Sequence, residues 1–429
     1  MGDYRKRVMD GILAERLESS GAILLEGAKW CGKTTTCMQH AKSTLFLSDP
    51  DRRDQYLRLA ETEVSRLLAG ESPRLIDEWQ DVPVIWDAVR HAVDRRGGSG
   101  HFILTGSSVV PQKSKEKIRH SGTGRFSWLR MRPMSLWESG ESSGEVSLSG
   151  LFEGGDGFSA AGGIGWKLSD IAFLICRGGW PLSVGKKGAA AIRPVRDYCK
   201  AVTESDISRF DGVPRDPVRV GSLMRSYARL QGTQSNLTSI RKDMEQHDAR
   251  SLSEDTIQSY IKALKGIFVV EDVPAWCPEL RAKESIRTSD TRCFTDPSIA
   301  ATALGATPNG LLNDLRTLGY LFECMAMRDL RVYMDVLDGD VRRYHDRSGL
   351  ECDAVLHTWD GRYALVEVKI GGETLVEAGS AALDKLEALI KAKGKVPPSF
   401  KMILTATGEF AYRRKEDGVI VCPLSALRP

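Results

Sequence analysis

The sequence predicts an α/β protein with a parallel-sheet core, a helical middle part and a second α/β domain at its C-terminal end. Three patterns carry that expectation. Short apolar runs alternate with helical patterns over the first 138 residues, as in a parallel sheet covered by helices on both faces. Helical patterns dominate residues 167–270. Beyond residue 330, strand-like runs follow one another across "LDGD", "RSG" and "WDG" turns.

In the first part, "AILLE", "TLFLSD", "RLID" and "HFILTG" read as strands, with helical segments around 54–69 and 83–96 between them. The Gly/Ser-rich stretch 139–166 reads as a linker or flap. The middle part ends in "SLSEDTIQSYIKALKGIFVVED", where Ser253 suits a helix N-cap and Glu254 and Asp255 suit the first turn. Ile257, Tyr260, Ile261 and Leu264 then share one helical face, and "GIFVVED" reads as a strand. A helix followed by a strand in helical surroundings suggests a winged helix.

A long helix is expected over 311–330, with Leu311, Leu315, Leu318, Phe322 and Met325 on its buried face. After it, "RVYMDV", "VRRYHD", "LECDAVLHT" and "RYALVEVKI" read as strands, then a helix at about 375–393 and the strand "KMILTAT". The expected domains are 1–138, the linker 139–166, a helical and winged-helix part 167–300, and 301–429.

Composition sets the outer bounds. At 429 residues the chain exceeds one ordinary domain. Its 60 basic and 57 acidic residues leave a net charge of +3, which neither demands nor excludes a nucleic-acid partner. Nine scattered cysteines without a C-x-x-C pair suggest free thiols in a reducing compartment. No apolar run approaches the roughly 20 residues of a membrane span, and the first residues carry no apolar signal core, so the cytoplasm is expected. His40, His91, His101 and His357 share no metal-ligand spacing.

Directly after "AILLE", Gly27-Ala28-Lys29-Trp30-Cys31-Gly32-Lys33-Thr34 fits G-x-x-x-x-G-K-[ST] in full, and Thr35 follows. Such a loop wraps a β-phosphate with backbone N–H groups, and its glycines allow close approach. The next helix turns its N-terminus to the phosphates. Lys33 reaches the β- and γ-phosphates and the Thr34 hydroxyl ligates Mg²⁺. The motif lies between a strand and a helix, as this chemistry requires. In "LIDEWQ", Asp77 and Glu78 emerge at a strand tip, where the Asp supports Mg²⁺ and the Glu polarises attacking water. An ordinary solvated acidic pair would read the same without the loop upstream. Thr105 or Ser107 can sense the γ-phosphate from the neighbouring strand. Arg125, in a Gly-rich loop, can reach a γ-phosphate in its own subunit or a neighbour's; a surface arginine is the plain alternative.

The motifs "GAKWCGKTTT", "LIDEWQ", "HFILTGSS", "GRFSWLRMRPMSLWE", "GGWP", "TIQSYIKAL", "RCFTDPSIA" and "GYLFE…ECDAVL…VEVK" occur in that order. Together they resemble the bacterial and archaeal AAA-type ATPases that carry a C-terminal domain of unknown function, from about residue 5 to about 425. The resemblance implies a P-loop NTPase core of AAA type, a winged-helix middle and a restriction-endonuclease-like C-terminal domain. It implies ATP and Mg²⁺ as cofactors.

Glu323, Asp353, Glu367 and Lys369 resemble the D…E-x-K pattern of PD-(D/E)xK nucleases, whose carboxylates hold Mg²⁺ for phosphodiester hydrolysis. Strand parity decides whether they meet. A two-residue turn at Asp360-Gly361 sets Asp353 facing away from Glu367 and Lys369. A three-residue turn, Trp359-Asp360-Gly361 with a left-handed Gly361, pairs 353 with 367 and joins all three groups on one face. Asp-Gly suits either turn. A solvent-facing strand of alternating charge, or a nuclease fold kept only for binding, would carry the same residues.

Lys262 and Lys265 would contact phosphates if residues 254–265 entered a major groove, with "SIRKD" nearby. The basic runs 113–120 and 193–196 read as solvated faces. The functional expectation is an ATPase whose nucleotide cycle controls a nuclease-like domain acting on nucleic acid. The alternative is a nucleotide-gated protein-binding module with an inactive nuclease fold. A third reading is a scaffold that ATP merely stabilises. The sequence leaves the oligomeric state open.

Overall fold

The computed structural model describes residues 4–111, 116, 118–155, 162–248, 252–278 and 289–429. The chain divides into two compact units. The first contains Met1–Pro133, Val202–Asp216 and Ser259–Val269, and the second contains Met134–Ala201, Pro217–Gln258 and Val270–Pro429. The middle of the chain is therefore shared out and forms no compact unit of its own.

The first unit starts with helix α1 (Val8–Ser19), strand β1 (Ala22–Glu26) and helix α2 (Lys33–His40). Strand β2 (Ser43–Phe46), helix α3 (Arg53–Thr62), strand β3 (Arg74–Asp77) and helix α4 (Ile85–Arg96) follow. Strands β4 (Phe102–Gly106) and β5 (Phe126–Arg130) complete a parallel sheet of order β2-β3-β4-β1-β5. Successive residues of β1 serve opposite cores. Ala22 and Leu24 pack with Ile76, Trp86, Phe102 and Leu104 on one face, while Ile23 and Leu25 pack with Leu13, Cys37, Leu75 and Ile103 on the other. A strand buried on both faces must read as a continuous apolar run, which is why "AILLE" shows no alternation.

In the second unit the Gly/Ser-rich stretch is not a free linker. Ser135 caps the short helix Leu136–Ser139, and Ser147 caps Leu148–Phe152. Strand β6 (Val146–Ser147) pairs in parallel with the last strand, β13 (Leu427–Arg428), and Ser142 Oγ donates to the Leu427 carbonyl at 2.7 Å. The serines act as caps and cross-links; residues 156–161 of the stretch lie outside the described residues.

Ser253 does accept a hydrogen bond from the Thr256 N–H at 3.2 Å as the helix Glu254–Gly266 begins. Ile257, Tyr260, Ile261 and Leu264 are buried as expected. "GIFVVED" differs from expectation: it turns after Gly266 and makes one isolated bridge, Val270 to Phe294, with Val273 just beyond it bridging to Thr291. The exposed face of the helix (Asp255, Gln258, Ser259, Lys262) carries no excess of positive charge. The basic run 113–120 falls largely outside the described residues, and 193–196 lie on the helix Gly188–Ala201 with Arg193 and Arg196 exposed.

Several motifs of the second unit meet in one buried polar hub. Arg328 is fully enclosed between Asp296 at 2.9 Å and Asp329 at 2.7 Å. Asp296 also accepts from the Gly179 N–H, Asp329 accepts from the Leu136 N–H, and the Trp180 indole donates to Ser298. A Cβ on Gly178 would collide with Asp296 and Ser298, and one on Gly179 with the Met134 backbone. "GGWP", "TDPS" and "SLWE" are thus joined by packing.

The long helix runs Leu315–Met334, so "RVYMDV" is mostly its last turn and no strand. Leu330, Tyr333 and Met334 are buried and continue the helical stripe of Phe322 and Met325, which overrides the strand propensity of Val and Tyr. A six-stranded sheet of order β11-β12-β10-β9-β8-β7 follows. Its strands are β7 (Asp340–His345), β8 (Glu351–His357), β9 (Tyr363–Lys369), β10 (Lys401–Thr405), β11 (Tyr412–Arg413) and β12 (Ile420–Pro423). The strands β7, β8 and β9 are antiparallel; β9, β10 and β12 are parallel, and the helix Glu373–Ala392 crosses from β9 to β10.

Candidate functional site

The phosphate loop occupies residues 27–34 between β1 and α2, at the carboxyl end of the sheet. Its glycines are there for room and for conformation. A Cβ on Gly27 would come closer than 3.0 Å to the Met131 carbonyl oxygen, and Gly32 adopts φ 107° as the N-cap of α2. Trp30 is left-handed at φ 66° and half exposed. The Lys33 ammonium, buried beneath the loop, donates to the Gly27 and Ala28 carbonyls at 2.8 and 2.9 Å. Lys29 reaches out of the loop to Asp206, 2.7 Å away, on a π-helical turn. Thr35 is exposed on the first turn of α2.

Strand β4 lies between β1 and β3, so residues at its tip stand between the loop and the acidic pair. Asp77 Oδ1 accepts from Thr34 Oγ1 at 2.7 Å and from Thr105 Oγ1 at 2.6 Å. Thr105 is fully buried behind Asp77, so it braces that carboxylate, while Ser107 faces Glu78. Glu78 Oε2 accepts from Ser107 Oγ at 2.8 Å, from the Ser107 N–H and from Gln80 Nε2. The Glu78 backbone is left-handed, φ 55° and ψ 47°, a conformation that costs a non-glycine residue roughly 1–3 kcal/mol and concentrates at functional positions.

These residues fit Mg²⁺-ATP. The glycine cradle, the Lys33 ammonium beneath it and the Thr34–Asp77 pair stand where phosphate and metal chemistry need them.

Arg125 is a correction. It precedes β5 at the amino end of the sheet, where its carbonyl accepts from the Ala22 N–H, and its guanidinium pairs with Asp94 at 2.8 Å. The phosphate loop leaves the other end of β1, roughly 15 Å of strand away. Arg125 therefore cannot reach a γ-phosphate in its own subunit. The arginine at the loop's end of β5 is Arg130, opposite Glu26, with its guanidinium 4.4 Å from the Phe268 ring centre. Strand direction, once the sheet is taken as parallel, sets Arg125 and Arg130 at opposite ends of β5.

The second cluster lies on β7, β8, β9 and the helix Leu315–Met334. The β8–β9 register pairs His357 with Tyr363 and Ala354 with Val366, which carries on to Asp353 opposite Glu367. The turn is the three-residue one, with Gly361 at φ 89°. Asp353, Glu367 and Lys369 consequently share a face, and Lys369 Nζ reaches Glu367 and, at 3.4 Å, Asp353. Glu323 joins through a residue that sequence reasoning missed. Arg343 sits at a bulge in β7, where the register with β8 shifts between Arg342 and Tyr344. Its guanidinium contacts Glu323, Asp353 at 3.2 Å and Glu351 at 3.4 Å.

Burial pushes the Glu323 carboxyl up to about 7 despite Arg343. Burial, reinforced by Asp353, also raises Glu367 well above its ordinary value. Glu367 Oε1 is buried without a hydrogen-bond partner. Burial would raise Asp353 too, but Arg343, Lys369 and the Val368 N–H outweigh it and hold Asp353 below the usual range. Arg343 and Lys369 thus already pair with Glu323, Asp353 and one oxygen of Glu367. Among the described residues no three His, Cys, Asp or Glu side chains converge as a metal requires. The expected Mg²⁺ does not fit this arrangement.

The comparisons agree with the first site. Residues 19–139 match the family model described as AAA domain. Residues 168–310 and 318–427 match two models described as domains of unknown function, DUF8612 and DUF4143. No curated protein matches the chain. Among solved structures, the Aeropyrum pernix ORC2 protein in its ADP form is 15% identical. The match covers 63% of this chain and 90% of that one with a TM-score of 0.28, too partial a superposition to bear on function. Over residues 19–139 the chain is thus similar to AAA domains, and its parallel sheet with a glycine loop between β1 and α2 is of the P-loop kind. No helix among the described residues is long and apolar enough to cross a membrane.

Proposed function

We propose that the chain is a Mg²⁺-dependent ATPase whose nucleotide cycle controls its C-terminal domain, and that this domain binds a partner without cutting it. The observation that carries the first half is the convergence of Thr34 and Thr105 on Asp77 beside the Lys33 loop. Gly27 to Thr35 would hold the phosphates, with Thr34 and Asp77 on Mg²⁺. Bound Mg²⁺ neutralises charge on the transferring phosphoryl group. Glu78 takes the proton of the attacking water once its carboxylate leaves Ser107 and Gln80. Coupling is supported by connectivity: the segment Val202–Asp216, which carries Asp206, is joined at both ends to helices of the second unit, Gly188–Ala201 and Pro217–Arg229.

The second half rests on Arg343, which supplies the cation a nuclease would take from solution. A nuclease reading keeps one observation in its favour, the shared face of Asp353, Glu367 and Lys369. In that reading the domain is restriction-endonuclease-like and acts on nucleic acid. The test is ATP turnover with and without single- and double-stranded DNA, alongside metal-dependent cleavage by wild type and Asp353→Ala. Cleavage that Asp353→Ala abolishes establishes the nuclease. DNA-stimulated turnover without cleavage makes the domain a nucleic-acid platform, and turnover indifferent to DNA points to a protein partner.

A further inference from the structure

A phosphate loop binds through the directions of its backbone N–H groups, and its glycines leave those directions poorly fixed by themselves. In this chain a residue outside the motif fixes one of them. Arg7, just before α1, is buried at 5% exposure. Its Nη1 donates to the Cys31 carbonyl at 2.7 Å and its Nη2 to the Arg132 carbonyl at 2.8 Å. The guanidinium is a rigid planar fork, so the two bonds hold the loop and the exit of β5 in one fixed relation. Because a peptide unit is planar and trans, holding the Cys31 carbonyl toward Arg7 turns the Gly32 N–H to the opposite side.

Arg7 is itself anchored. Its backbone N–H donates to the Asp10 carboxylate at 2.6 Å. That carboxylate also takes the Tyr4 hydroxyl at 2.7 Å and His40 at 3.0 Å, and the Tyr4 hydroxyl lies 3.0 Å from Thr36. The middle of α2 at Thr36 and its last residue, His40, are thereby tied to the start of α1.

We infer that Arg7 is a positioning residue of the phosphate loop, holding the Gly32 N–H in the direction that binds a nucleotide's phosphates. The inference rests on the ATP reading above and adds a residue that does not touch the nucleotide. The test measures affinity for a fluorescent ATP analogue, and KM and kcat for Mg²⁺-ATP, on the full chain as wild type, Arg7→Lys and Arg7→Ala. Thermal unfolding without nucleotide accompanies each variant. Arg7→Ala is expected to weaken binding and raise KM at least tenfold with kcat little changed. Arg7→Lys, which keeps one donor, should fall between, and added guanidinium should restore part of the loss in Arg7→Ala. Folded Arg7→Ala that binds within twofold of wild type overturns the inference alone. So do folded Lys and Ala variants that are equally impaired and unmoved by guanidinium. If Arg7→Ala is unfolded, the Lys variant decides by the same criteria. Wild-type protein that binds no nucleotide overturns the ATP reading and this inference with it.

Discussion

Replacing Arg343 by Met removes the buried cation of the C-terminal cluster while keeping a long apolar stem. The guanidinium is 8% exposed, Asp353 7% and Glu323 15%, so the loss is of a buried partner. Removing one member of such a pair costs about 3–5 kcal/mol. Asp353 keeps Lys369 and the Val368 N–H, and Glu323 can shed its charge because burial already pushes it up to about 7. The low end, about 3 kcal/mol, is therefore expected near neutral pH. The vacated carboxylates should then accept a divalent ion. At a hundredfold excess over Kd this returns about 2.7 kcal/mol. The assay is urea denaturation of wild type and variant with and without Mg²⁺ or Mn²⁺, following β8–β9 amide protection so that the C-terminal sheet is read separately. Wild type should ignore the metal and the variant should gain from it. A variant as stable as wild type, or a wild type that gains equally from metal, would refute the reasoning.

Gly27→Ala sets a methyl against the Met131 carbonyl and should abolish binding of a fluorescent ATP analogue while circular dichroism stays near wild type. Glu323→Gln should remove a pH dependence. A carboxyl raised from 4.5 to about 7 in the folded chain stabilises it fully below pH 4.5, and that contribution is lost as pH rises through about 7. The stability of wild type relative to Glu323→Gln should thus fall by about 1–3 kcal/mol between pH 4.5 and 8, measured by urea denaturation.

The phosphate loop and the acidic pair were legible because their chemistry is local: a strand, a fixed spacing and a helix. What failed was non-local. Arg125 lay close in sequence to plausible chemistry but at the end of a parallel strand away from its own subunit's phosphate loop. Arg343 was invisible because a bulge in β7 aims it into the cluster, and bulges leave no reliable trace in a charged, alternating strand. The β8–β9 parity stayed open in sequence because Asp-Gly serves both turns, and the fold resolved it in favour of the shared face. The Gly/Ser-rich stretch misled through composition, since serine caps and cross-links look like linker residues until their partners near residue 427 are known.

The most direct test of the central claim is phosphate release from Mg²⁺-ATP by the purified chain, beside Lys33→Ala and Glu78→Gln. The expected result is Mg²⁺-dependent turnover in wild type, lost binding in Lys33→Ala, and in Glu78→Gln retained binding with turnover reduced by about a hundredfold or more. Turnover that persists unchanged in Lys33→Ala, or wild-type protein that neither binds nor hydrolyses ATP, would contradict it.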